Sequence, residues 1–374
     1  MAIITQLNYI RSISRSYKSK RQIIVIESDD WGSERIPNQF VQQQLLNAGI
    51  GITKNPYTLF DTLEREEDIL ALNDVLERIE KQYEKKIQLT ANFILANPKY
   101  NAIEKNQFEN YFYEHFTETY YRRDGDHRVL NALNELIHKK YMHPQFHGRE
   151  HINISYWLNE LRAGNPFFLK AFALNCFGID VSNLGTNRSN LMAANEYTHN
   201  AEKKRVLNSI CEGVDMFEKH FGYKSETAVS PRHVWDKEVE KQYQKKGIQG
   251  IQTSLHQLIP SKNGYRRKLH YTGEFNKRNN LSYLVRNIYF EPAYNQNYDW
   301  IKNAMGKIKL QFIFGSPVII SMHRLNFAGG LVEANRTENL KLFKELLKQI
   351  IIKYPNVEFL TSDQLLHLIL SRKK

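Results

Sequence analysis

The stretch Ile23-Ile24-Val25-Ile26 runs without a break into Glu27-Ser28-Asp29-Asp30-Trp31-Gly32-Ser33. Four consecutive branched apolar residues suit a short strand buried on both faces, as in the parallel sheets of α/β proteins. The run stops at two adjacent carboxylates, and Gly32 permits a sharp turn directly after them. Ligands in α/β folds collect at the carboxyl ends of parallel strands, where Asp29 and Asp30 would stand. Asp is also a good helix N-cap, so this stretch alone leaves a site and a cap both open.

The pattern recurs along the chain. Residues 88–95, 141–147, 227–230, 248–253, 281–289, 317–322 and 357–360 read as further strands. Between them lie helical segments. Asp61-Thr62-Leu63-Glu64 resembles a capping box ahead of Ile69, Leu72, Val75, Leu76 and Ile79, which recur at helical spacing. Residues 105–140 read as two helices interrupted at Asp124-Gly125-Asp126, and 154–162, 201–220, 337–353 and 362–370 as four more. A polar, Asn-rich piece at 183–200 reads as a loop or lid. Strands alternating with helices, with no repeat, low-complexity segment or linker, predict one α/β domain over residues 1–374. Its core is expected at about 22–365, with a mostly helical insertion at about 155–222.

Composition narrows the class. Apolar residues make up 41% and charged residues 25%, enough for a real core and too apolar for disorder. The two cysteines, Cys176 and Cys211, form no disulfide or zinc framework and are expected reduced and buried. The net charge of +12 comes from short basic clusters such as Lys203-Lys204-Arg205 and Arg266-Arg267-Lys268. No zinc finger, ribonucleoprotein motif or basic zipper accompanies them, so nucleic acid is not the expected partner. An anionic glycan or an acidic membrane surface would suit the charge. Ile3, Ile4, Leu7, Ile10 and Ile13 make a loose apolar stripe that would let residues 3–20 lie on such a surface. Residues 1–21 lack the apolar core of a signal peptide, and no apolar run approaches the ~20 residues needed to span a bilayer, so the expected location is the cytoplasm.

Three further stretches carry ionisable groups at strand ends. His143, His147 and His151 follow one another at spacings of four, and imidazole with a carboxylate is a common donor set for zinc and similar divalent metals. Spacing alone allows either His143/His147 or His147/His151 as the pair. His323 ends the apolar strand Val318-Ile319-Ile320-Ser321-Met322, and Arg232 and His233 follow the strand before Ser230-Pro231.

These residues, in this order, resemble the polysaccharide deacetylases of carbohydrate esterase family four and their wider superfamily. The family's first motif, T-F-D-D-G, is similar to Ser28-Asp29-Asp30-Trp31-Gly32, with a Trp inserted before the Gly. Its second, H-[ST]-x-x-H followed by P-x-L, resembles His147-Gly148-Arg149-Glu150-His151-Ile152-Asn153-Ile154, and the tail after His151 favours this register over His143/His147. Ser321-Met322-His323 matches the last motif, L-x-H, and Asp299-Trp300 stands for an Asp-Trp pair in the fourth. The third motif, R-P-P-Y, is matched poorly, because Ser230 falls where the Arg belongs and Arg232 comes two positions late.

The resemblance implies an irregular (β/α) barrel of about seven strands. Asp30, His147 and His151 would hold one divalent metal, with zinc the expected ion, which polarises an acetamide carbonyl and lowers the pKa of its water. Asp29 would be the general base, oriented by Arg232. His323 would protonate the leaving amine, kept cationic by a carboxylate such as Asp299. Trp31, Trp235 and Trp300 would either stack on sugar faces or pack beneath the site. The implied activity is removal of N-acetyl groups from a cell-surface polysaccharide or its precursor, lipid-linked glycans included. The damaged third motif keeps a non-catalytic saccharide-binding protein open, and the fold keeps open another amide C–N hydrolase.

Overall fold

The computed structural model describes residues 2–50, 55–181, 190–261 and 264–372. Its centre is a ten-stranded sheet made of β1 (Ile23–Trp31), β2 (Leu89–Ile94), β3 (Met142–Gly148), β4 (Thr227–Val229), β5 (Gly250–Thr253), β6 (Phe275–Asn276), β7 (Leu281–Val285), β8 (Ile288–Tyr289), β9 (Val318–His323) and β10 (Glu358–Leu360). The order is β6-β7-β5-β4-β3-β2-β1-β9-β8, with β10 also paired to β1. Every pair is parallel except β6 with β7.

β1 is buried along its whole length, as its unbroken apolar run requires. Ile24 and Ile26 face outward onto helices Glu66–Tyr83 and Glu333–Lys353, meeting a layer that includes Ile69, Leu72, Leu76, Phe343 and Leu347. Ile23 and Val25 face inward, where Leu284, Ile319 and the terminal helix Ser362–Ser371 (Leu365, Leu366, Ile369) fill the bottom of the sheet's concavity. Burying each such side chain contributes roughly 1.5–3 kcal/mol.

The expected barrel takes a particular form. β8 lies at one end of the strand order and β7 next to the other end, yet only Arg286 and Asn287 separate them in sequence. The Arg286 N–H donates to the Thr253 carbonyl of β5, and the Asn287 N–H to the Ile319 carbonyl of β9. One two-residue segment therefore bridges both edges, although no strand pair closes the ring among the described residues. The expected strand 281–289 is consequently two strands with a crossing between them.

Other boundaries move for local reasons. Asp61 and Glu64 do not cap the start of the following helix; both are buried against Arg324, and that helix begins at Glu66 with Asp68 accepting from the Arg65 N–H at 2.9 Å. The region expected to be a helical insertion contains Ile154–Arg162 and Pro166–Ala173, which share a separate apolar cluster with Ile36, Val41 and Leu45. Its third helix, Asn200–Phe221, carries Val206, Ile210, Val214 and Phe217 into the main core instead. Of the expected lid at 183–200, residues 183–189 lie outside the described residues, and 190–199 form turns that lead into the helix beginning at Asn200. The hairpin His256–Ser261/Gly264–Leu269 and the helix Trp300–Ile313 had no clear sequence signal.

At the amino end, helix Ala2–Arg15 packs Ile13 into the protein and bonds Ser12 and Tyr9 to the backbone of His270 and Asn287, leaving Leu7 exposed. Cys176 is buried, Cys211 only half-buried, and both are free thiols. Among the described residues no helix is long and apolar enough to cross a membrane.

Candidate active site

Asp29 and Asp30 are consecutive, and in a regular strand their side chains would leave opposite faces of the sheet. The pairing of β1 with β2 slips between Ser28 and Trp31, and Asp30 takes a left-handed backbone with φ +73°. This local kink turns both carboxylates into one cleft, at a strain of about 1–2 kcal/mol. Trp31 spans the kink by donating its indole N–H to Ser28 Oγ at 3.0 Å, and it is buried between Phe93 and Phe327. Trp235 is likewise fully buried, with its N–H on Glu240 at 3.1 Å. Of the three tryptophans, only Trp300 lines the cleft.

The cleft has a volume of about 790 Å³ and sits at the carboxyl ends of the strands. At its floor the Oδ1 of Asp30 faces His147 Nε2 at 3.2 Å and His151 Nε2 at 3.4 Å, all three residues buried. His147 comes from the end of β3 and His151 from the loop after it. His147 Nδ1 lies 3.1 Å from the Val229 carbonyl, so it carries the proton and leaves the Nε2 lone pair pointing at Asp30. Among the described residues Asp30 Oδ1 itself accepts no hydrogen bond. Lone pairs converging at these distances repel unless a cation lies among them, so the donor set fits a divalent metal. His143 is excluded from it. Its ring stacks on Tyr223 and its Nε2 lies 3.3 Å from Asp363, away from the cleft lining.

The other oxygen of Asp30 is held by Arg35 at 2.9 Å. Burial alone would raise the Asp30 carboxyl, but the effects led by the charge of Arg35 keep it well below the usual range. Burial likewise pushes His151 well below the ordinary histidine value despite Asp30, leaving it neutral and able to ligate.

Asp29 is gripped by Arg286 through two bonds, Nη1 to Oδ2 at 2.6 Å and Nη2 to Oδ1 at 2.7 Å. Asn92 adds a third bond to Oδ1 at 2.7 Å. Arg286 also donates from Nε to Glu27 at 2.6 Å, so one buried guanidinium joins two carboxylates. Burial would raise Asp29, but the charge and hydrogen bonds of Arg286, together with the smaller effects of neighbouring groups, lower it overall, so the carboxylate stays ionised. The orienting arginine is thus Arg286. Arg232 lines the same cleft but does not touch Asp29.

Asp29 and His323 are register partners on adjacent parallel strands, with His323 Nε2 3.8 Å from Asp29 Oδ2. The carboxylate behind His323 is Glu291, whose Oε1 meets Nδ1 at 2.5 Å and whose Oε2 accepts from Asn326 at 2.6 Å. Burial lowers the imidazole's pKa, but Glu291 and then Asp29 raise it to about 9. Asp299 is elsewhere, capping helix Trp300–Ile313 through the Lys302 N–H. Tyr57 packs edge-on against His323 and under Arg35, linking the His323 side of the cleft to the Asp30 side.

Sequence reasoning therefore missed Arg286, Glu291, Arg35 and Tyr57. Arg286 had a signal, the one charged residue inside the mostly apolar 281–290 run; Glu291, directly after that run, had a weaker one of the same kind.

No protein-family model matches the chain, and no curated protein matches its sequence. Solved structures do. A putative polysaccharide deacetylase from Mycobacterium smegmatis matches with 10% identity and a TM-score of 0.45, over 96% of this chain and 93% of that one. A probable polysaccharide deacetylase from Pseudomonas aeruginosa matches with 8% identity and a TM-score of 0.46, over 92% and 90%. A 4-alpha-glucanotransferase from Thermococcus litoralis matches with 10% identity and a TM-score of 0.44 over 93% of this chain, which spans only 40% of that enzyme. Identity this low leaves the chemistry of the cleft to be argued from its own residues.

Proposed function

We propose that this chain is a divalent-metal-dependent hydrolase that removes N-acetyl groups from a cell-surface polysaccharide or its saccharide precursor. The observation that carries the reading is the pairing of Asp29 with His323 across one cleft, above Asp30, His147 and His151. Hydrolysis of an amide needs a base for the water and an acid for the departing amine, placed on one carbonyl. A zinc or similar ion held by Asp30 Oδ1, His147 Nε2 and His151 Nε2 would supply Lewis-acid polarisation.

The chain's own groups do the rest. Asp29, ionised and fixed in plane by Arg286 and Asn92, accepts the proton of the attacking water. His323 has Nδ1 committed to Glu291, so its Nε2–H faces Asp29 and donates to the leaving nitrogen. Arg286 occupies the role left vacant by the poor third motif, which supports turnover over a binding-only protein. The same groups would serve other amide C–N bonds; the saccharide part rests on the aromatic lining of Tyr57, Tyr289, Tyr294 and Trp300.

The test is acetate release from N-acetylglucosamine oligomers by zinc-loaded protein. Asp29→Asn and His323→Ala are each expected to lower kcat by roughly a hundredfold or more. No acetate from any N-acetylated saccharide, with metal bound, would contradict the proposal.

A further inference from the structure

The cations of the cleft are not equivalent. Arg35 is neutralised by Asp30 and Asp61, and the raised His323 imidazole by Glu291. Behind the lining, Arg286 is shared between Asp29 and Glu27. Arg232 lines the same cleft with an exposed side chain, and among the described residues it forms no hydrogen bond or ion pair. Its charge is felt by the phenols of Tyr294 and Tyr265, which puts the guanidinium near the aromatic part of the lining.

The backbone that presents Arg232 is unusual. Arg232 has φ +58° and His233 φ +56°, two successive non-glycine residues in the left-handed region. They are held there by a tight turn, with the His233 N–H on the Ser230 carbonyl at 2.8 Å and the Val234 N–H on Pro231 at 3.2 Å. Left-handed backbone at such residues is costly, and it persists where the surrounding structure over-determines it, typically at ligand-binding positions. A solvated surface arginine needs no such backbone.

We infer that Arg232 is a specificity-determining residue that receives an anionic substituent of the substrate, an oxyanion able to accept two parallel N–H bonds. The inference rests on the saccharide reading of the cleft and narrows it to acidic or phosphorylated N-acetylhexosamines. Arginine is suited to this because its planar fork matches carboxylate and phosphate geometry alike. The two carboxylates nearest the floor are already compensated, so they do not repel an incoming anion in proportion to their number.

The experiment is calorimetric titration of N-acetylglucosamine, its 1-phosphate and N-acetylglucosaminuronic acid into wild type, Arg232→Gln and Arg232→Gly. The glycine variant relieves the left-handed strain, so a folding defect is not expected from it. An anionic sugar should bind wild type roughly ten- to a hundredfold tighter than the neutral one, and both variants should lose that advantage. Whether the phosphate or the carboxylate arm carries the advantage identifies the anion. Equal binding of all three sugars, binding of none, or an advantage that survives in the variants overturns the inference. Acetate release is read separately: a preference for the anion without hydrolysis would refute the hydrolase reading and leave the role of Arg232 standing.

Discussion

Arg286 carries more of the site than any other side chain, since Asp29 and Glu27 both depend on it inside the sheet. Arg286→Leu would leave two buried carboxylates without their shared cation, and the expected loss is about 3–5 kcal/mol of stability by chemical denaturation. A loss below about 1 kcal/mol would show that Asp29 and Glu27 find other partners. His323 gives a second prediction. Its pKa, raised from 6.5 to about 9, means that its stabilising contribution is complete below about 6.5 and is lost as pH rises through about 9. NMR titration of the ring in metal-free protein should show a midpoint near 9, moving toward 6.5 in Glu291→Gln. A midpoint near 6.5 in the unaltered protein would remove Glu291 from its assigned place. Arg286 was hard to find from sequence because a buried arginine is recognised by its partners, and Glu27 and Asp29 lie over 250 positions away. Asp299 was taken for the partner of His323 for the opposite reason: it sits beside a Trp in a familiar pairing, but the helix start claims its carboxylate.

β1 shows how one element sets the site. Its inward residues Ile23, Val25, Glu27 and Asp29 pass from apolar plug to charged floor, and its outward Ile24 and Ile26 anchor it under two helices. The kink at Asp30 then adds a third carboxylate to the inward set. Gly32 makes the return possible, with φ +82° and a position where an added Cβ would lie 2.6 Å from the Ile94 carbonyl oxygen. Gly32→Ala is therefore expected to destabilise by roughly 1–3 kcal/mol and to disturb metal binding at Asp30, measured by denaturation and by metal titration. A neutral substitution would mean that the turn relaxes without moving Asp30. Strand existence was readable for the apolar runs because burial on both faces leaves an unbroken signature. The split of 281–289 was not, since a crossing from one sheet edge to the other looks locally like continued strand. Asp61 and Glu64 had the spacing of a cap and the function of anchors, because Arg324, far along the chain, outcompetes the helix for them.

At the scale of the molecule, a parallel sheet curls until Arg286 and Asn287 join its edges, and one end of the resulting bowl is filled by the terminal helix. The other end stays open and receives the ends of β1, β3 and β9 together with the turn after β4. Four stretches far apart in sequence converge there, which is why the donor set could be proposed from motif order while its geometry could not. The central claim is that Asp30, His147 and His151 hold one divalent ion, and metal content tests it most directly. Elemental analysis of zinc-reloaded wild type, His143→Ala, His147→Ala and His151→Ala should find about one equivalent in the first two and a marked loss in the last two. Wild type that binds no metal after reloading, or equal retention in all four proteins, would contradict the account.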